Sequence, residues 1–286
     1  MQYQSPASIE EAVAALASIG GARVLAGGTD LLVQLRSGTA SPAAVIDVKN
    51  IAALRAITET ADGFRIGAAV CGAEITDHAA LVAAWPGVAE AAGLIGSTQV
   101  QGRASLGGNV CNASPAADTT PALIAARAVA EIVGPNGRRS IPVEQIATGP
   151  GKTSLAEGEI VVSFLLPRRP ARSADAYLRL IPRTEMDIAV AGAGVNLTLD
   201  ADGTIADARV GIGAVAPTAL VLDAAPGILV GTKCDEATLA KLAEAAGAAA
   251  RPIDDKRGTV DYRRKVVGVL AKRAALIAYE RAKGAR

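Results

Sequence analysis

The spacing of apolar positions separates helical from extended stretches along the chain. Ser8 with Glu11 forms a capping box ahead of a helical face from Ala12 to Ile19, and Gly20-Gly21 ends it. A second helix is predicted over Leu31 to Arg36, opened by Thr29 or Asp30 and stopped by Gly38. Further helices are predicted from Thr76 or Asp77 through Trp85, from Pro86 onward, and over Ala122–Ala128 behind Thr120-Pro121. Two more run from the cap Asp235 through Ala250 and from about Val260 to Lys283, the latter with Val266, Leu270 and Ile277 as its buried stripe. Extended segments are Arg23–Leu25, Val45–Val48 as a closing strand, Phe64 to Gly67 with the residues around Val70, and Glu159–Leu166. Glu131-Ile-Val and Arg139-Ser-Ile flank Gly134-Pro-Asn-Gly137 as a hairpin. Ile188–Leu199 turns at Asp200–Gly203 and is met by Ala208–Val215.

These elements group into an α+β chain. Residues 1–50 read as a small α/β unit, and residues 51–170 as a larger one. The Pro- and Arg-rich segment Pro167–Ser173 links them to a C-terminal α+β domain over 171–286. No internal repeat is visible.

At 286 residues the chain is long enough for two domains and a sizeable core. One Trp, four Tyr and two Phe leave little for stacking on bases, and a formal charge of +1 gives no field to hold a polyanion. The basic end Arg281-Ala-Lys-Gly-Ala-Arg286 reads as a solvated helix terminus. No apolar run has the length of a membrane span and no signal-peptide pattern opens the chain, so a cytoplasmic location is expected. Cys71, Cys111 and Cys234 form no disulfide framework and are one thiolate short of an ordinary iron–sulfur site. The single histidine, His78, makes a zinc or copper site improbable and reads as a surface helix residue.

Two Gly-Gly stretches carry the candidate chemistry. Ile95 to Asp118 holds almost nothing bulky: Gly96, Gly102, Gly107 and Gly108 stand among Ser97, Thr98, Ser105, Asn109, Asn112 and Asp118. Leu25-Ala-Gly-Gly-Thr-Asp-Leu31 has the same character, between a strand and a helix N-terminus where partial positive charge favours phosphate. Gly-Gly beside Asn or Asp is also ordinary turn chemistry, and either reading of one stretch alone stays open. Other motifs dissolve on inspection. Gly149-Pro-Gly-Lys-Thr153 lacks the first P-loop glycine, Ile146 standing in its place. Gly211-Ile-Gly-Ala-Val-Ala216 is followed at once by Pro217 and reads as a hairpin edge, and Asp254, Asp255 and Asp261 read as caps or partners of Lys256 and Arg257.

Ala26-Gly-Gly-Thr-Asp-Leu31 and Ser105-Leu-Gly-Gly-Asn109, continuing to Asn112-Ala-Ser-Pro-Ala-Ala-Asp118, resemble the FAD-binding (medium) subunit of the molybdenum hydroxylases, a family that includes xanthine dehydrogenase and aerobic carbon monoxide dehydrogenase. The likeness continues through Gly149–Thr153, Arg183–Ile188 and Gly211–Pro217 to Pro252-Ile-Asp-Asp and Asp261–Arg264, and so spans the chain. It implies a two-part FAD-binding domain of the vanillyl-alcohol-oxidase/PCMH type, with FAD between the N-terminal units and covered by the C-terminal domain. It implies an oxidoreductase subunit without catalytic residues of its own, partnered by a [2Fe-2S] small subunit and a molybdopterin large subunit in a dimer of heterotrimers. The flavin would pass electrons to NAD, a quinone or oxygen.

The same resemblance assigns the pyrophosphate to Ala26, Gly27, Gly28, Thr29, Asp30 and Leu31 together with Ser105, Leu106, Gly107, Gly108 and Asn109. It places Asn112 and Asp118 on the sugar or ribityl chain, packs Ile95, Leu155 and Val161 on the rings, and sets Arg179 near the flavin's polar edge. Capping of the helix at Thr120-Pro121 is the alternative role for Asp118. Carbon monoxide dehydrogenases of the family tend to carry His-Ser where this chain has Thr29-Asp30, which favours a xanthine-dehydrogenase-like reading over a carbon monoxide one. A stand-alone flavin oxidase and a non-catalytic module are the rival classes; the first wants a base over the flavin, and no cluster of His or Tyr supplies one.

Overall fold

A computed structural model describes residues 1–285; Arg286, the last residue of the basic end, lies outside the described residues. The first unit is a three-stranded parallel sheet in which Ala44–Asp47 lies between Gln2–Gln4 and Arg23–Leu25. Ala44–Asp47 is thus the central strand rather than a closing one. All four of its residues are buried, as both edges and a face being covered requires. Helices Ile9–Ser18 and Leu31–Arg36 make the crossovers. Ser8 caps the first by accepting from the Glu11 N–H at 3.1 Å, while the Glu11 carboxylate reaches one residue further back than a capping box needs, to the Ala7 N–H at 2.8 Å.

The second unit is a five-stranded antiparallel sheet in the order Ile57–Thr60, Gly63–Gly67, Ile160–Pro167, Val129–Gly134, Gly137–Pro142. Short helices cover one side of it. Around Val70 the chain bends instead of extending, and Cys71 with Glu74 caps the helix Gly72–Asp77. The long helix expected from Thr76 or Asp77 to Trp85 is therefore two. His78 divides them, its Nδ1 accepting the Leu81 N–H at 3.1 Å to cap Ala79–Ala84. Gly149–Thr153 lies in a small two-stranded hairpin, Ala147–Gly149 with Lys152–Thr153, and not in a strand–loop–helix phosphate motif.

Beyond Pro167 the chain forms a four-stranded antiparallel sheet, Ser173–Leu180, Ala191–Leu199, Ile205–Gly213 and Leu220–Val221. Helices Glu236–Ala249 and Val260–Gly284 pack together, and the second lies along the first two strands of that sheet. The buried stripe of Val260–Gly284 runs through Val267, Ala271, Ala274, Ala278 and Ala282, with Val266 and Ile277 only flanking it. Small side chains there allow close packing: a Cβ on Gly268 would sit 2.5 Å from the Ala243 carbonyl oxygen. Helix Thr119–Ala125 packs on Ala191–Leu199 and Ile205–Gly213, where Gly194 and Gly211 leave room for the Pro121 carbonyl. No described helix is long and apolar enough to cross a membrane.

Charged contacts fasten the C-terminal sheet to the rest. Arg169, in the segment read as a linker, pairs with buried Asp175 at 2.9 Å and lies 3.7 Å over the Trp85 ring. Glu90 accepts the Tyr177 N–H at 3.0 Å and also pairs with Arg281, so the helix end expected to be solvated is anchored at that residue. Breaking a buried pair strands a charge. Arg169→Met should therefore lower the unfolding free energy by about 3 kcal/mol, and the double variant Arg169→Met, Asp175→Leu should recover most of the loss. Urea unfolding midpoints check this; equal midpoints for wild type and Arg169→Met would show the pair to be dispensable.

Candidate functional site

The first Gly-Gly turn leaves the strand Arg23–Leu25 and enters the helix Leu31–Arg36. Gly28 has φ +78°, a conformation that glycine takes without strain. The N–H groups of Gly27, Gly28, Thr29, Asp30 and Leu31 donate to no backbone carbonyl, which leaves a short row of donors at a helix start. Lys49 steadies the turn from behind, its Nζ reaching the Ala26 carbonyl at 3.2 Å and Asp47 at 2.7 Å. Neither Thr29 nor Asp30 caps the helix through its side chain. The Asp30 carboxylate instead accepts from Asn112 Nδ2 at 3.2 Å, and Asn112 Oδ1 accepts from Gln34 at 3.2 Å, so the two Gly-rich stretches are tied side chain to side chain.

The two stretches also meet backbone to backbone. A Cβ on Gly27 would lie 1.8 Å from the Arg103 carbonyl oxygen, and one on Gly107 would lie 2.5 Å from that of Ala68. The second turn spends its N–H groups internally: Gly107 donates to Ala68 at 2.9 Å, and Gly108 to the capping Ser105 hydroxyl at 3.1 Å. This differs from the expected second row of free donors. A short helix, Leu106–Cys111, begins there and needs its own cap. Gly108 itself is exposed.

Between the stretches lies a cavity of about 400 Å³. Ala26 to Leu31, Ile95, Ser105, Gly107, Gly108, Asn109, Asn112, Leu155 and Val161 all line it. Leu106, Asp118 and Arg179 do not. Leu106 is buried in the core of the second unit. Asp118 makes no capping bond; its carboxylate pairs with Arg179 at 2.8 Å and accepts from the Tyr177 hydroxyl at 3.4 Å. Burial pushes the Asp118 carboxyl up while Arg179 pulls it down, and the pair neutralises the cation expected at the flavin edge. Sequence reading missed Leu16, Arg23, Val48, Leu54 and Ile160 on the cavity wall. Each is an ordinary core or strand residue, and only the packing of one unit on the other brings it there.

No described residue of the C-terminal sheet or its helices lines the cavity. From that side two backbone bonds reach the second Gly-rich stretch, the Met186 N–H to the Gly96 carbonyl at 3.2 Å and the Ala214 N–H to the Pro115 carbonyl at 2.8 Å. Cys111 stands on the wall with its thiol pushed up to about 12 by burial, which keeps it protonated and unreactive. The walls suit a dinucleotide: free N–H donors and a bare glycine face for phosphates, and Ile95, Leu155 and Val161 for flat rings.

Comparison with known proteins agrees with this geometry. The family model for the "FAD binding domain in molybdopterin dehydrogenase" matches residues 1–169, and that for the "CO dehydrogenase flavoprotein C-terminal domain" matches residues 176–278. The carbon monoxide dehydrogenase medium chain of Hydrogenophaga pseudoflava is 34% identical over 281 residues, 98% of this chain and 97% of that one. The xanthine dehydrogenase FAD-binding subunit of Escherichia coli O157:H7 is 30% identical over 273 residues, covering 95% and 93%. Reconstituted CO dehydrogenase from Oligotropha carboxidovorans superposes with a TM-score of 0.94 at 32% identity, covering 98% of each chain. The chain therefore belongs to the FAD-binding subunits of the molybdenum hydroxylase family, and FAD is its cofactor.

Proposed function

We propose that this chain is the electron-transfer flavoprotein of a molybdenum hydroxylase, assembled with a [2Fe-2S] subunit and a molybdopterin subunit in the cytoplasm. Bound FAD would take electrons from the partner's clusters and deliver them to an acceptor such as NAD, a quinone or oxygen. The chain's own part is to bind and orient. The observation that carries this reading is the row of free N–H groups over Gly27 to Leu31, facing a cavity that Gly108 leaves open. Donors of this kind meet a pyrophosphate without needing cations, and among the described residues Arg23 is the one cationic residue on the wall. We assign the pyrophosphate to these two turns, the ring systems to Ile95, Leu155 and Val161, and the domain boundary to the segment around residue 170.

We read the complex as xanthine-dehydrogenase-like rather than specific for carbon monoxide, on Thr29-Asp30 after the first Gly-Gly. A self-sufficient oxidase is the weaker reading, since the cavity wall carries no His or Tyr to act as a base.

Gly108→Val tests the cofactor site. A Cβ at this position meets only Ser105 Oγ, at 3.1 Å, outside its own helix backbone, so the fold should persist while the branched side chain keeps the phosphates out. The variant should bind FAD at least about tenfold more weakly, the equivalent of ~1.4 kcal/mol of binding, and should purify short of flavin with the melting temperature of flavin-free wild type. A full complement of flavin would remove the second turn from the site. Assembly is tested by isolating the native protein from its cells and measuring molybdenum and iron in the eluate. Both metals should co-purify at a mass fitting two copies of each subunit, and a free monomer alone in the extract would contradict the assembly.

A further inference from the structure

Asn109 stands on the cavity wall beside Gly108, and its side-chain oxygen is already occupied. The Thr119 N–H donates to it at 3.1 Å, and the Thr119 hydroxyl at 2.6 Å. A backbone N–H can only donate, so the atom that faces it must be the amide oxygen, and the orientation of the amide is thereby fixed. Both lone pairs of that oxygen have donors. The two N–H donors of the same group are left for whatever enters the cavity, and Asn109 is half-buried rather than sealed in the core.

Thr119 itself is fully buried and lies off the cavity. Its backbone is held from the far side. The preceding residue, Asp118, is pinned by Arg179 and Tyr177, both on the strand Ser173–Leu180. A continuous set of contacts thus runs from the C-terminal sheet through Asp118 and Thr119 to one amide on the cavity wall.

We infer that Thr119 is a positioning residue for FAD: by occupying the Asn109 carbonyl oxygen, it makes Asn109 present only donors to an oxygen acceptor of the bound cofactor. FAD offers phosphate and ring carbonyl oxygens, and an amide free to rotate would present its own oxygen to them part of the time. Asp118, with Arg179 and Tyr177, acts on the site by anchoring Thr119 rather than by touching the cofactor. This rests on FAD occupying the cavity.

The test is FAD titration into the deflavinated full-length chain, followed by flavin fluorescence, with the melting temperature of each apo-protein as a check on folding. Asn109→Asp keeps the shape and the bonds from Thr119 but replaces the donors by an oxygen. It should weaken FAD binding at least about tenfold at neutral pH. The loss should shrink, relative to wild type at the same pH, as acidification protonates the carboxyl and restores a donor. Thr119→Val removes the hydroxyl and should weaken binding about threefold or more, whereas Thr119→Ser, which keeps it, should stay near wild type. Asn109→Asp binding as tightly as wild type, or weakened equally at every pH, overturns the donor assignment. Thr119→Val at wild-type affinity, or Thr119→Ser as impaired as Thr119→Val, overturns the role of the Thr119 hydroxyl. Wild-type chain that does not take up FAD overturns the cofactor reading itself, an outcome distinct from either.

Discussion

The site depends on two chain segments meeting with no side chain between them. Gly27 lies against the carbonyl of Arg103, where a single methyl group would overlap an oxygen 1.8 Å away. That contact joins the parallel sheet of residues 1–50 to the loop ahead of Leu106–Cys111. It fixes the distance between the free N–H groups of the first turn and the bare face of Gly108. Gly107 against Ala68 repeats the device one layer deeper and seats the second stretch on the antiparallel sheet. The glycines therefore divide their labour: Gly27 and Gly107 permit close packing, Gly28 supplies a positive φ, and Gly108 keeps a surface open.

Behind the cavity, charge is buried in pairs. Asp118 with Arg179, and Asp175 with Arg169, sit where the C-terminal sheet meets the helices of the second unit. Such pairs gain little net stability over apolar packing, but each demands its partner at a defined place. They therefore fix the registry of one unit on the other, with Tyr177 and Glu90 completing the seam. None of the described residues of the C-terminal domain lines the cavity wall.

Much of this was legible in the chain itself. The turn over Ala26–Leu31 lies between strand and helix as the spacing implies, and fourteen of the seventeen expected site residues reach the cavity wall. What failed had physical causes. The strand Ser173–Leu180 carries Asp175, whose charge argues for solvent until its partner Arg169 is known. The stripe of Val260–Gly284 holds the expected Leu270 but is mostly alanine, which a pattern weighted toward large side chains passes over. His78 reads as one more helical residue, and only the bond from Leu81 shows it to be a cap. The family resemblance sets Asp118 on the cofactor's sugar, whereas its partners here, Arg179 and Tyr177, come from a strand far along the chain that no local pattern announces.

Binding of FAD between the two Gly-rich stretches is tested most directly by the flavin content of the chain. The chain would be produced without partner subunits, freed of excess nucleotide, and heated to release what it holds. A yellow protein that releases FAD in equimolar amount is expected. A well-folded but colourless chain, or one that releases FMN in place of FAD, would contradict it.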